Sequence, residues 1–482
     1  MHTKVKAMKM LVGGKWVEGK DTFEVVNPQN NEAIARVPLA SKEQMEEAIE
    51  TAERTYRTTT VWPTHERIAI LTKVSNYMKE HVEEFAEIIA SEGSKTINEA
   101  RGEVKRAAQT IQISAEEARR INGETLNFDQ NEGSENRVGY YYRFPVGVVG
   151  AITPFNDPLN MVAHKIGPAI AAGNAIVLKP ASVTPLSALK LAEAFMNAGL
   201  PEGFLSVVTG SGREIGDTLV THPAVQMVSF TGGTEAGEKI TQKAGTKKLS
   251  MELGSNSPVI VLEDADLHDA VQSTVSGAFS AVGQNCIGVQ RIYVEKEIYQ
   301  TFLNTFVNRT AELNVGDKMD ELTDMGPLIN EKEAKRVEKW VNEAVAKGAT
   351  VEFGGKREGA YYTPTILTNV SDEATIAKEE IFGPVVLVYP VDSLYEAVEQ
   401  ANNVDYGLQA GIFTSNINQA FYAVKHMKVG GIMINDSSDY RIDAMPFGGT
   451  KGSGIGREGI QFAIEAMTEA KVVSFRLQEK LL

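Results

Sequence analysis

From about residue 145 the chain alternates between short apolar runs and stretches with helical spacing. "VGVVGAIT" (146–153), "NAIVLKP" (174–180), "FLSVVTG" (204–210) and "QMVSFTG" (226–232) read as buried strands. Between them lie "NMVAHKIGPAIAAG", "TPLSALKLAEAFMNAG" and "REIGDTLVTH", which read as helices. Strands separated by helices at this spacing form βαβ units, because parallel neighbours need a long crossover connection. The fold class is therefore α/β with a parallel, Rossmann-like sheet. Such sheets bind ligands beyond the carboxyl ends of their strands, here Thr153-Pro154-Phe155-Asn156, Lys179-Pro180, Thr209-Gly210 and Thr231-Gly232.

A second α/β region follows "LEDADLHDAV", with helices expected around 266–282, 297–313 and 331–347 and strands at "VQRIYV" and "VVLVYP". Before residue 145 the pattern differs. Ser41 and Gln44 have capping-box spacing ahead of Met45, Ala48, Ile49 and Ala52 on one helical face. One helical period runs through "ERIAILTKVSNYMKEHVEEFAEIIASEG" to Gly93, and "EVKRAAQTIQISAEEARRI" makes a further long helix. The first hundred or so residues are read as mostly helical. The polar, alternating "ETLNFDQNEGSENRVGYYYRF" reads as a hairpin leaving the domain, and "EAKVVSFRL" near the end as a strand to pair with it.

Composition narrows the function. The 482 residues suffice for two to four structural units, and a net charge of −15 argues against nucleic-acid backbones and anionic membranes. One cysteine permits neither an internal disulfide nor a Cys-rich metal site, and it suits a reducing, cytoplasmic setting. No apolar run reaches membrane-spanning length, and none follows Lys4, Lys6 and Lys9 as a secretory leader would require. No metal is expected.

The lone thiol, Cys286, sits in "SAVGQNCIGVQRI", a Gly-punctuated polar turn rather than an apolar run. It is either small apolar filler or a nucleophile. Glu252 closes a strand before Gly254 and is a general-base candidate or a solvated loop acid. Asn156 is an oxyanion donor or, with Asp157-Pro158 following, a turn residue. "GSGREIG" has one residue too many between its second and third glycines for the dinucleotide fingerprint. "FTGGTEAG" opens a helix after a strand, where backbone N–H groups can hold a pyrophosphate.

Seven ordered motifs carry a resemblance over nearly the whole chain: "TPFN" (153–156), "KPASVTP" (179–185), "FTGGTEAG" (230–237), "MELGSNSP" (251–258), "GQNC" (283–286), "EEIFGPV" (379–385) and "PFGGTKGSGIGREG" (446–459). With them the chain resembles the aldehyde dehydrogenase superfamily. The resemblance implies a nucleotide-binding domain (1–121 and 141–252), a catalytic domain (253–440) and a small β oligomerisation arm (122–140 and 460–482). It implies Cys286 as nucleophile, Glu252 as general base, and Asn156 with the Cys286 N–H as oxyanion hole. NAD or NADP would lie along Ile152, Thr153, Pro154, Phe155, Lys179, Ser182, Gly210, Phe230, Gly232, Gly233, Glu380 and Phe382. Phe155 replaces the more usual Trp and Ser255 a common Gly. Ser182 stands where relatives that prefer NAD often carry Glu, so NADP is an expected cofactor.

On the substrate side the resemblance places Arg106, Arg441 and Phe447 along the tunnel. Two arginines there fit a short aldehyde with a hydroxyl or anionic far end, as in the lactaldehyde, semialdehyde, non-phosphorylating glyceraldehyde-3-phosphate and phosphonoacetaldehyde types. Pairing of either arginine with Glu103 or Asp443 is the structural alternative. The resemblance further implies a homo-oligomer, dimer or tetramer. A coenzyme A-acylating member, which lacks the base, and a non-catalytic binding protein of the same fold are the rival functions.

Overall fold

The computed structural model describes residues 5–59 and 62–478. The extreme ends of the expected terminal segments, 1–4 and 479–482, lie outside these, as does Lys4.

Two sheets position the site. The first has eight strands, in the order Gly454–Ile455, Lys248–Glu252, Val225–Thr231, Val148–Ile152, Ala175–Lys179, Leu205–Val207, Met10–Val12 and Lys15–Val17. Its central five are parallel, and the three outermost join antiparallel. The second has seven, in the order Thr350–Phe353, Thr365–Thr368, Val385–Val391, Val289–Glu295, Ser257–Val261, Gln409–Phe413 and Gly431–Ile434, parallel except at Thr350–Phe353. Buried on both faces, the inner strands are runs of Val, Ile and Leu, such as Ala175–Lys179 and Ser257–Val261. Each sheet has its own apolar core, one around Val149, Val177 and Ile166, the other around Val259, Ile292 and Leu387.

A third sheet stands apart. Thr468–Arg476 pairs antiparallel with Arg137–Pro145, which pairs with Glu124–Leu126. The helix Ile460–Ala466, just before the last strand, packs Ile460 and Ile464 into the first core.

The helices Lys42–Thr58 and Ile97–Glu117 both start in capping boxes, at Ser41 and Thr96. The expected run to Gly93 is broken at His81 into Thr64–Glu80 and Val82–Glu92. There the His81 ring bonds the Tyr77 carbonyl at 2.8 Å. The expectation of a mostly helical first hundred residues fails before Lys42. Lys6–Ala7, Met10–Val12, Lys15–Val17, Asp21–Val26 and Ala33–Leu39 are strands. Two of them form a hairpin through Gly13-Gly14, both at positive φ, as a tight two-residue turn requires.

The carboxyl ends of the first sheet's parallel strands and the amino ends of the second sheet's converge on one cavity of about 1130 Å³. Ile152–Asn156, Phe230–Ala236 and Leu253–Gly254 reach it from the first sheet. Ser280–Ala281, Gln284–Ile287, Glu379–Glu380, Phe382, Tyr406, Asp439 and Arg441 reach it from the second region.

Candidate active site

Cys286 is held by an unusual turn. The helix Leu267–Phe279 ends at Ser280, and Ala281 (φ 50°), Val282 (φ 62°) and Gly283 (φ 64°) then all lie in the left-handed region. For Ala and a β-branched Val this costs on the order of 1–3 kcal/mol each, so the surroundings must enforce it. The Ala281 N–H donates to Glu99 Oε1 at 2.6 Å. Gln284 Oε1 accepts from the Ile329 N–H at 3.0 Å. A Cβ on Gly283 would meet the Gly383 carbonyl at 2.3 Å, so only glycine fits.

Beyond the turn Ile287 packs with Leu408, Phe447 and Cys286, leaving the thiol partly exposed to the cavity. Burial raises the thiol pKa strongly. Arg441 opposes this, while Glu380, Asp157 and Glu252 add to it. At rest the group is a thiol, and its nucleophilic form requires removal of the proton. Two donors beside it are unused: among the described residues, neither the Cys286 N–H nor the Asn156 side-chain amide makes a hydrogen bond.

Glu252 ends its strand 2% exposed, with both carboxylate oxygens buried and unpartnered. Burial raises its pKa well above the ordinary range, and repulsion from Glu458 adds to this against Lys165, Arg441 and Arg457. A side chain on Gly448 would meet Glu252 Oε1 at 2.8 Å, so that glycine keeps room for the acid. Glu458 is itself ion-paired with buried Lys165. Burial alone would raise it, yet Lys165, His164 and Arg441 bring it down to about 2. Of the two acids, Glu252 is the one whose surroundings favour holding a proton.

The cavity wall carries further charges. Lys95 is buried in ion pairs with Glu103 (2.8 Å) and Asp157. Glu103 also accepts from the N–H groups of Leu159 (2.8 Å) and Asn160 (2.9 Å). Arg106 Nη2 pairs with Asp443 Oδ1 at 2.9 Å, and the same oxygen takes His164 Nε2 (2.9 Å) and Asn160 Nδ2 (3.2 Å). The structural alternative therefore holds for one of the two arginines' contacts, although Arg106 still lines the cavity. Arg441 is different. Its side chain is 5% exposed, it stacks 3.6 Å from the Phe447 ring centroid, and it forms a long ion pair with Glu458 Oε2 at 3.7 Å, an acid whose other oxygen is engaged by Lys165. Nε and Nη2 are buried without hydrogen-bond partners.

On and behind the Phe230–Ala236 side of the cavity lie groups that suit a dinucleotide. The helix Thr234–Ala244 starts at Gly233 with no side-chain cap, and Gly232, Gly233 and Thr234 face the cavity, so its first N–H groups are open to an anion. Lys179 is buried with no acid, donating only to the Pro180 carbonyl at 3.0 Å, and burial lowers its pKa to about 8. Ser182 Oγ donates to the Gly210 carbonyl at 2.8 Å. Glu380 accepts from the Ser255 N–H at 2.9 Å, and burial pushes it up to about 7. Phe382 (φ 45°) meets Phe155 edge to face, centroids 5.6 Å apart, and Arg336 anchors the loop by donating to the Ile381 carbonyl at 2.6 Å.

Of the residues expected from sequence, Asn156, Cys286, Ile152, Thr153, Pro154, Phe155, Phe230, Gly232, Gly233, Glu380, Phe382, Arg106 and Arg441 line the cavity. Glu252, Lys179, Ser182, Gly210 and Phe447 do not: Glu252 and Phe447 lie behind the wall, and Ser182 and Gly210 hold one another beyond Ala181. Glu99, Lys95, Lys165 and Glu458 are not legible as site residues in the sequence, and Asp157 reads there only as part of a turn. Only Glu99 had a local signal, the Thr96-x-x-Glu99 capping box.

The family model described as "Aldehyde dehydrogenase family" matches residues 16–473. A 3-sulfolactaldehyde dehydrogenase of Priestia aryabhattai is 49% identical over 475 residues, covering 98% of this chain and 99% of that one. The crystal structure of aldehyde dehydrogenase 21 from Physcomitrella patens with its product succinate superposes with a TM-score of 0.96 at 42% identity, covering 98% and 99%. An NADP-dependent glyceraldehyde-3-phosphate dehydrogenase from Bacillus halodurans C-125, complexed with NADP, superposes at 0.95 with 39% identity, covering 98% and 100%.

Proposed function

The chain belongs to the aldehyde dehydrogenase family, and on that premise we propose that this NAD(P)-dependent enzyme oxidises a short aldehyde with an anionic or hydroxylated far end at Cys286. The observation that carries the substrate class is Arg441, a buried cation at the cavity with no protein hydrogen bond and a shared counter-ion. A carboxylate, sulfonate or phosphate offers the bidentate acceptor that its guanidinium lacks. The relatives named for sulfolactaldehyde and glyceraldehyde 3-phosphate, and the one solved with its product succinate, handle such molecules.

The residues then divide the work. Cys286, its thiol proton passed to solvent through the open cavity, adds through sulfur to the carbonyl carbon. The oxyanion that forms is held by the free Cys286 N–H and Asn156 amide, each such donor being worth roughly 3–4 kcal/mol at an oxyanion. The nicotinamide, when bound, supplies the hydride acceptor that takes the adduct to the thioester level. Phe155 and Phe382 would flank that group, and Glu380 would hold the adjoining ribose. Glu252, unrestrained by hydrogen bonds, swings toward the cavity and takes a proton from water as it attacks the thioester, freeing the carboxylate. A coenzyme A-acylating or non-catalytic role is not favoured, since Glu252 is present and the relatives are named as dehydrogenases.

Arg441→Ala and Arg106→Ala test the substrate class. Loss of a charged hydrogen bond, about 1.5–3 kcal/mol, should raise KM for an anionic aldehyde such as glyceraldehyde 3-phosphate roughly ten- to a hundredfold. The larger effect is expected at Arg441, because Arg106 is already engaged by Asp443. Propanal should be spared, and equal effects on both aldehydes would refute the assignment.

Cofactor choice rests on Ser182 and Lys179, a hydroxyl and a cation where a 2′-phosphate would be read. Wild-type kcat/KM should be at least as high with NADP as with NAD. Ser182→Glu should cut the NADP value by roughly tenfold or more through charge repulsion while leaving NAD nearly unchanged. A hundredfold NAD preference in the wild type would sink this proposal.

We place the protein in the cytoplasm as a dimer or tetramer. Its lone thiol needs reducing surroundings. The edge strand Thr468–Arg476 leaves Val472 and Phe475 about half exposed, a surface suited to a second copy of this chain. No helix among the described residues is long and apolar enough to cross a membrane.

A further inference from the structure

The segment around the start of the helix Ile97–Glu117 reaches both the turn before Cys286 and the loop after Asn156. Glu99 is the N3 residue of the helix and closes its capping box: Oε2 accepts the Thr96 N–H at 2.9 Å. Its second oxygen is not spent on the helix. Oε1 crosses to the second region and accepts the Ala281 N–H at 2.6 Å, on the first residue of the left-handed turn that leads to Cys286. Four residues to either side, Lys95 and Glu103 hold the loop after Asn156, through Asp157 and through the N–H groups of Leu159 and Asn160. The proposed catalytic steps assign none of these three residues a task.

We propose that Glu99 is a positioning residue: its carboxylate latches the Ala281–Gly283 turn and so aims the Cys286 thiol and N–H at the point addressed by Asn156. This rests on Cys286 being the nucleophile. Physically, two non-glycine residues cannot stay left-handed without an external hold. The Ala281 N–H is the donor through which a partner from outside the turn can hold it, and Glu99 is that partner. The latch works from the far side of the cavity, so it links the two regions at the point where the nucleophile is carried.

Glu99→Asp is the informative change. The carboxylate stays at N3, where Asp also suits a helix start, but it ends about 1.5 Å short of Ala281. Three quantities are read: kcat, KM for NADP, and the rate of Cys286 alkylation by iodoacetamide without cofactor, followed by intact mass. Since Cys286 is the only cysteine, the adduct is unambiguous. Glu99→Asp should lower kcat roughly ten- to a hundredfold and change the alkylation rate at least threefold, with KM for NADP within twofold of wild type. Adding Ala281→Gly should restore most of the lost kcat, because glycine adopts the turn without a latch. Thr96→Ala, which weakens the same cap without touching Ala281, should lower Tm but keep kcat within twofold.

If Glu99→Asp keeps wild-type kcat and alkylation, or if Thr96→Ala reproduces its loss and Ala281→Gly does not rescue it, the latch is wrong and Glu99 is only a helix cap. An active Cys286→Ala enzyme would instead overturn the underlying nucleophile assignment, so the two failures are distinguishable.

Discussion

Cys286→Ala should reduce aldehyde oxidation by roughly four orders of magnitude or more while leaving Tm and cofactor affinity near wild type. Removal of a nucleophile takes away the bond through which every later step runs, and in such sites the residual rate comes from binding and oxyanion donors alone. Packing predicts a folded variant: the thiol is partly exposed, and its apolar neighbours Ile287, Leu408 and Phe447 remain in contact without it. Steady-state NADPH formation, thermal melting and NADP titration together check this. More than a few per cent of wild-type turnover, with the protein's mass confirming the substitution, would exclude a covalent route through this residue.

The second large effect is expected at Glu252. Glu252→Gln keeps the shape of the side chain and removes its basicity, so thioester hydrolysis should slow by roughly 10²–10⁴-fold. Hydride transfer precedes that step, and a burst of up to one NADPH per active site should remain, followed by a very slow phase. The pH dependence follows from the same residue. Burial and the Glu458 charge hold Glu252 protonated to higher pH than an ordinary carboxyl, and only its ionised form can accept a proton. Deacylation in the wild type should therefore rise with pH through that raised pKa and lose this rise in Glu252→Gln. Rapid-mixing kinetics at several pH values decide the matter. A variant with no burst and no slow phase would mean that Glu252 acts before the thioester forms.

What can be read in such a chain depends on how far apart the interacting residues lie. Parallel strands are legible because burial on both faces leaves uninterrupted Val, Ile and Leu, as in "NAIVLKP". The antiparallel pairing of Arg137–Pro145 with the tail is legible as alternation on both segments. The strands before Lys42 are not, because most are short and they are stabilised by partners far along the chain: Leu11 pairs with Val207, and Ala40 donates to the Thr209 carbonyl. At the site, a lone cysteine in a polar turn stands out by itself. Glu252 and Asn156 gain meaning only as members of an ordered set of motifs. The contacts that tune them have no local signature. Glu99 and Ala281 are 182 positions apart, Arg106 and Asp443 are 337 apart, and Lys165 meets Glu458 across 293. For the same reason the sequence cannot tell that Arg106 is tied to an acid while Arg441 is left without a hydrogen bond.

The central claim is that this cavity selects a short aldehyde by its anionic end and oxidises it with the nicotinamide cofactor. The most direct measurement is wild-type kcat/KM with NADP for glyceraldehyde 3-phosphate, succinic semialdehyde, lactaldehyde, propanal, hexanal and benzaldehyde, all by NADPH absorbance. Arg441 and its unfilled hydrogen-bonding capacity predict that an anionic aldehyde leads, ahead of hexanal and benzaldehyde by roughly tenfold or more, with lactaldehyde between them. Hexanal or benzaldehyde matching or exceeding every anionic aldehyde in the series would contradict it.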